Sequence, residues 1–118
     1  MNESILTKME TFFLALADKT RLRLLNLMRE DEVCVSYFTE VLGESQPKIS
    51  RHLAYLRKAG IVEARREGQW MHYKLSPAKG RFHAKLLECL SCCLNDVPEF
   101  ARDVARVRRS SCGTGECC

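Results

Sequence analysis

Three observations in the 118-residue sequence predict a mainly α-helical domain carrying a β-hairpin wing, in the winged helix-turn-helix order. Apolar residues recur at helical spacing on both sides of residues 61–76, while inside that window they alternate with polar ones. A tight Gly-bounded turn separates two short helical segments just before it, and the basic residues concentrate on the second of those segments and on the alternating stretch.

Ile5, Leu6, Met9, Phe12, Phe13 and Leu16 give an amphipathic first helix over about 3–17. Asp18 then caps a second helix from Lys19 to about Arg29, with Leu22, Leu25 and Met28 on one face. Asp31-Glu32 break the pattern, and a short third helix is expected from about Cys34 to Leu42, stopped by Gly43. Ser45 or Gln46 caps the next, with Pro47 in a first turn where a missing N–H does no harm. Ile49, Leu53 and Leu56 form its buried stripe and Gly60 ends it. Residues 61–66 and 70–76 read as two strands joined by Glu67-Gly68-Gln69, because Met71, Tyr73 and Leu75 alternate with Trp70, His72 and Lys74. Helical spacing returns after Gly80 along Phe82, Leu86, Cys89, Leu90, Cys93 and Leu94. Asn95, Asp96 and Pro98 mark an end or bend, and 99–109 can form a further short helix. Residues 1–109 are thus expected to make one domain and 110–118 a Cys-rich flexible tail.

Charge narrows the function classes. Residues 45–75 hold seven basic side chains against two acidic, a local +5 in a chain of net +4, so the remainder is −1. Such a localised excess favours a polyanionic partner, although a solvated helix face has the same composition. The longest apolar run, Phe12 to Ala17, is far short of the roughly 20 residues of a spanning helix, so no membrane partner is expected. No basic start precedes a long apolar segment and cleavage site, and a cytoplasmic protein is expected.

The expected ligand of the basic segment is double-stranded DNA. A recognition helix needs polar side chains at its N-terminal end to reach base edges in the major groove, and a helix N-terminus also favours a phosphate. Gln46, Lys48, Ser50, Arg51 and His52 occupy that end, away from Ile49, Leu53 and Leu56. The hairpin tip, with Arg65, Arg66 and Gln69, can lie along the backbone or enter the minor groove. Arg57 and Lys58 lie late on the helix, where solvated surface is an equal reading; His52 also fits a partly buried structural histidine, and Trp70 fits wing packing.

Ser45-Gln46-Pro47-Lys48-Ile49-Ser50-Arg51-His52-Leu53, then Leu56-Arg57-Lys58-Ala59-Gly60 and Gly68-Gln69-Trp70-Met71-His72-Tyr73, resemble the ArsR/SmtB family of metal-sensing repressors over roughly residues 12–77. The resemblance is to the arsenic- and antimony-responsive branch in particular. It implies a homodimer built from the first helix and the helix after the wing. It also implies repression of a resistance operon by operator binding, with release when the inducer, As(III) or Sb(III), is bound.

Seven cysteines, six of them after residue 88, point to thiol chemistry rather than a secreted disulfide scaffold, which spreads an even number through the chain. The arsenic branch commonly carries Cys-Val-Cys before the recognition helix; here that place reads Cys34-Val35-Ser36. A serine hydroxyl is a hard, un-ionised donor, so Cys34 alone cannot supply three sulfurs to a soft centre. Cys89, Cys92 and Cys93 are the alternative ligands, bordering one face of the helix after the wing at spacings of three and four. Cys92 and Cys93 point about 100° apart on a regular helix, so a loosened last turn would help a pyramidal three-thiolate site to form. Some family members are similar in having an adjacent Cys pair near the end of this helix and a third Cys beyond it. By that resemblance the third sulfur is Cys112, Cys117 or Cys118 instead of Cys89. Against the site stands plain packing: Cys89 and Cys93 fall on the apolar stripe, where a free cysteine is a good small core residue. The Cys117-Cys118 pair also fits a passive accessible tail.

Two other inducers are weighed. Four thiols would suit tetrahedral zinc or cadmium, but the Asp-x-His and paired-His spacings of zinc-sensing relatives are absent and His83 stands alone on this helix. Cys89-Leu90-Ser91-Cys92 has a redox Cys-x-x-Cys spacing, yet within a helix and not at its N-terminus, where thiolates are stabilised. Catalysis is not expected. A thiol arsenate reductase needs Arg six residues after its Cys, and the residues six after Cys34, Cys89, Cys92 and Cys93 are Glu40, Asn95, Pro98 and Glu99. No Gly-rich phosphate loop or nucleophile elbow appears either.

Overall fold

Side-chain caps begin the first helices where the sequence places them. In the computed structural model, which describes residues 4–110, Ser4 accepts the Thr7 amide at the start of α1 (Ile5–Leu16), and Asp18 accepts the Arg21 amide at the start of α2 (Lys19–Leu27). Each such bond satisfies one of the four donors that a helix start leaves unpaired, and is worth about 1 kcal/mol. Helix α3 (Val35–Leu42) ends on Gly43 and α4 (Gln46–Ala59) on Gly60, both left-handed with φ of 68° and 89°, where a side chain would be strained. Ser45, not Gln46, caps α4, accepting the Lys48 amide, and Pro47 sits in the first turn.

The sheet has three strands where two were expected. Strands β2 (Val62–Glu67) and β3 (Trp70–Leu75) form the hairpin, with Glu67 opposite Trp70, so the turn is Gly68-Gln69 alone and Glu67 belongs to the strand. The added strand, β1 (Val33–Cys34), pairs antiparallel with β3 through Val33–Tyr73 and Cys34–His72, giving the order β1-β3-β2. Two residues carry no period, and their partners lie some 40 positions away, so only the folded chain reveals them. Cys34 is consequently extended and precedes α3 instead of opening it.

Leu24, Leu25, Phe38, Ile49, Leu53, Leu56 and Ile61 are completely buried and join α2, α3, α4 and the root of the wing in one core. After the wing, α5 (Arg81–Cys93) passes into a 3₁₀ turn (Leu94–Asp96) and then α6 (Pro98–Ser110). Of the expected α5 stripe, Leu90 is buried and Phe82 and Leu86 are half-buried, but Cys89 is exposed. Its packing role is thereby corrected: the helix turns its buried face through His83 and Leu90, one position off the thiol.

Helix α6 is longer than expected and docks back onto the helix-turn-helix. Buried Asp103 takes a two-pronged bond from Arg23 at 2.8 and 2.9 Å, Asn26 donates to the Phe100 carbonyl, and Arg106 donates to the Val41 carbonyl. A carboxylate this deeply buried is tolerated because it is paired and hydrogen-bonded. No helix among the described residues is long and apolar enough to cross a membrane.

Helices α1 and α5 pack through aromatic rings: Phe82 lies 5.7 Å from Phe12 and 5.5 Å from Phe13, and His83 meets Phe12 edge-on at 4.9 Å. Elsewhere on α1, Ile5, Leu6 and Leu14 are more than half exposed, and so is Phe13 despite its contact with Phe82. His83 Nδ1 accepts the Lys79 amide, so the proton resides on Nε2, which is buried with no hydrogen-bond partner among the described residues. Burial first, then Lys79 and Lys8, hold its pKa below the ordinary 6.5. A depressed histidine pKa contributes stability above the unfolded value that is lost as pH falls through it, because only the unfolded chain then takes up the proton readily. Urea midpoints should therefore fall as pH drops below about 6.5, and less steeply in His83→Gln than in the wild type.

Candidate nucleic-acid interface and thiol site

Helix α4 is two-faced for a simple reason. Ile49, Leu53 and Leu56 recur every three or four residues and are driven into the core, which turns Gln46, Ser50 and Arg51 to solvent at the N-terminal end. Lys48 is partly exposed and reaches Glu44 at 3.1 Å across one turn. Arg57 and Lys58 are exposed in the last turn, where cations suit the helix dipole.

His52 turns away from this surface. Its Nδ1 lies 3.2 Å from Arg21 Nη1 and 4.0 Å from the Asp18 carboxylate, with only 17% of the side chain exposed. At Asp18, burial raises the carboxyl pKa, but the Arg21 amide bond and the charges of His52 and Arg21 together bring it below its ordinary value. Arg21 is the centre of this junction and escapes the sequence reading altogether. Its Nε and Nη2 donate to the carbonyls of Ala15 and Leu14, closing the open end of α1, and its guanidinium lies 4.2 Å above the Tyr55 ring. One side chain thus ties α1 and α2 to α4. An arginine one turn into a helix has no spacing that would mark it.

On the wing, Arg66 and Gln69 are exposed near the turn. Arg65 is exposed too, but its guanidinium is engaged by other side chains of the protein: Nε and Nη2 bond both oxygens of Glu32 at 2.8 and 2.7 Å, and Nη1 reaches Glu67 at 3.3 Å. His72 is buried in β3 with Nε2 3.5 Å from Glu67, and Trp70 is 37% exposed at the strand end. Lys74 lies 3.6 Å from Glu63.

The cysteines among the described residues divide between two places, and not all of them are the free thiols expected from the sequence. Cys34 is buried at the start of α3, accepts a 3.6 Å bond from the Ser36 hydroxyl, and is disulfide-bonded. Cys89 and Cys92 are exposed free thiols three residues apart on α5. Cys93 is the last residue of α5, directly before the 3₁₀ turn, so the regular helix ends just where a thiolate pyramid would require it to loosen. Arg29 Nη1 donates to the Ser91 carbonyl at 3.1 Å, tying this last turn to the end of α2. Among the described residues no three Cys, His, Asp or Glu side chains already converge on a metal position. Cys112, Cys117 and Cys118 lie outside the described residues.

Comparison with known proteins places this architecture. The profile of the bacterial regulatory protein arsR family matches residues 18–64, from the α2 cap into β2. The chain is 44% identical over 96 residues to the arsenical resistance operon repressor of Escherichia coli K12, covering 80% of this chain and 82% of that protein. It is 58% identical over 66 residues to the arsenic resistance transcriptional regulator ArsR1 of Pseudomonas putida, covering 55% of this chain and 52% of that one. Among solved structures, the homodimeric winged helix-turn-helix DNA-binding domain of a possible ArsR-family regulator from Mycobacterium bovis superposes with a TM-score of 0.64 at 28% identity. That likeness covers 77% of this chain and 82% of the other.

Proposed function

Because the chain belongs to the arsR family of bacterial regulatory proteins, we propose that it is a cytoplasmic transcriptional repressor that grips double-stranded operator DNA as a homodimer and releases it when cysteine thiolates capture trivalent arsenic or antimony. The observation that carries this reading is the 44% identity running through 82% of an arsenical resistance operon repressor. The geometry supports it. Gln46, Ser50 and Arg51 stand exposed together at the start of α4, and Lys48 beside them needs only to leave Glu44 to meet a phosphate. Arg66 and Gln69 stand exposed near the tip of the wing, where they are free to meet the backbone or the minor groove.

Two copies joined through the exposed apolar side of α1 and the neighbouring α5 would set the distance between two recognition helices. Capture of a three-coordinate, soft metalloid at the end of α5 by Cys92 and Cys93, with Cys89 or a tail cysteine as the third sulfur, re-forms that turn. Affinity depends on both half-sites engaging at once, so a small change in their spacing weakens binding by a large factor. Cys34 contributes no sulfur in this scheme, since it is disulfide-bonded and its neighbour two residues on is a serine.

Purified protein bound to the DNA upstream of its own gene, followed by fluorescence anisotropy, tests the reading. Arsenite and antimonite should dissociate the complex, with Zn(II), Cd(II) and peroxide ineffective. Release by peroxide alone would favour the exposed Cys89 and Cys92 acting as a redox pair, and release by Zn(II) or Cd(II) alone would move the inducer to a tetrahedral thiolate site. Lys48→Ala should weaken binding evenly across sequences and lower the slope of log affinity against log salt by about 1 per lost phosphate contact.

A further inference from the structure

The exposed wing carries two adjacent arginines, and their surroundings differ. Successive residues of a strand face opposite sides, so Arg65 and Arg66 cannot serve the same surface. Cys34, His72 and Arg65 are directly opposite one another across β1, β3 and β2, on one face of the sheet. Along that face the Arg65 side chain reaches over β3 to Glu32, two residues before Cys34, and takes both carboxylate oxygens in a fork-on-fork pair. Glu67 adds a third contact to the same guanidinium and lies 3.5 Å from His72. The root of the hairpin is anchored by Val62, Tyr73 and Leu75 against the core and by two residue pairs with β1, and Arg65 lies beyond that root, where its pair with Glu32 ties the outer part of the wing to the segment before β1.

We propose that Arg65 is a positioning residue: its pair with Glu32 locks the wing at a set angle to the α2–α3 segment, and so to α4, while Arg66 meets the DNA. The inference rests on the reading of the chain as a DNA-binding repressor. It runs against simple electrostatics. If Arg65 were a phosphate contact, Glu32 would be its competitor, and removing that carboxylate would free a cation for the polyanion. If the pair is a clamp, removing the carboxylate loosens the wing and weakens binding despite the gain of one positive charge. The hydrogen bond from Arg65, outweighing the small effect of burial, holds the Glu32 carboxyl below its ordinary range, so the clamp persists at mildly acidic pH.

The test measures affinity and salt dependence of the full chain on the same upstream DNA fragment. Glu32→Gln should weaken binding about fivefold, near the upper end of what an exposed pair of good geometry is worth. Arg65→Lys, which keeps the charge but loses the fork, should weaken it as much as Arg65→Ala, and Glu32→Gln with Arg65→Ala should be no worse than either alone. The salt slope should stay at the wild-type value in all four, whereas Arg66→Ala lowers it by about 1. Circular dichroism and thermal unfolding establish that each variant is folded. Tighter binding by Glu32→Gln, or full rescue by Arg65→Lys together with a lowered slope in Arg65→Ala, overturns the clamp and makes Arg65 a DNA contact. A wild-type chain that fails to bind the fragment overturns the underlying repressor reading instead.

Discussion

Arg51→Ala should abolish specific operator binding and leave the proposed dimer folded. Arg51 is exposed on the second turn of α4 and packs against nothing in the core, which is filled from the other side by Ile49, Leu53 and Leu56. A guanidinium there has the planar fork that reads a guanine edge, and a good bidentate contact is worth about 1–3 kcal/mol of discrimination. In a homodimer the loss is incurred at both half-sites, giving roughly 2–6 kcal/mol, which brings specific binding down to the non-specific level. Anisotropy with matched and scrambled duplexes should show the two converging for the variant. Sedimentation and thermal melting should be unchanged, because exposed substitutions away from packed or paired groups usually stay within about ±0.5 kcal/mol. Undiminished preference for the matched duplex would remove Arg51 from the reading surface.

Cys92→Ser/Cys93→Ser should keep repressing in the presence of arsenite. Replacing sulfur by oxygen removes two soft, ionisable donors with almost no change of shape, and Cys92 is already exposed, so DNA affinity without inducer should match the wild type. The roughly 5–150-fold weakening of DNA binding that a coupling of ordinary size produces should vanish. The absorbance of arsenic–sulfur bonds in the near ultraviolet should vanish with it, which separates lost capture from lost transmission. Cys34→Ser should still release DNA on arsenite addition. Normal release by the double variant would move the sensor off the end of α5.

The elements legible in the sequence are those whose cause is local. Asp18, Ser45, Gly43 and Gly60 start or stop helices through their own side chain or lack of one, and the stripe Ile49-Leu53-Leu56 orients α4 whatever surrounds it. The polar residues exposed on the opposite face of α4 follow from that orientation, so Gln46, Ser50 and Arg51 are found where the pattern puts them. His52 and Arg65 carry the same chemistry on paper and differ only in their neighbours: Asp18 and Arg21 draw the first inward, and Glu32 and Glu67 hold the second. Cys89 shares the helical spacing of Leu90 yet lies on the solvent side, since a one-residue offset rotates a helix face by about 100°.

Sequence alone determined the helix order, the hairpin and the exposed polar face of α4, because caps, turns and hydrophobic periods act within a few residues of one another. Tertiary structure decided the third strand, the docking of α6 through Arg23 and Asp103, and the partners of Arg21, His52 and Arg65. The Arg21–His52, Arg65–Glu32 and Arg23–Asp103 contacts join residues 31 to 80 positions apart, and hydrogen bonds and ion pairs across such distances leave no period in the chain that makes them.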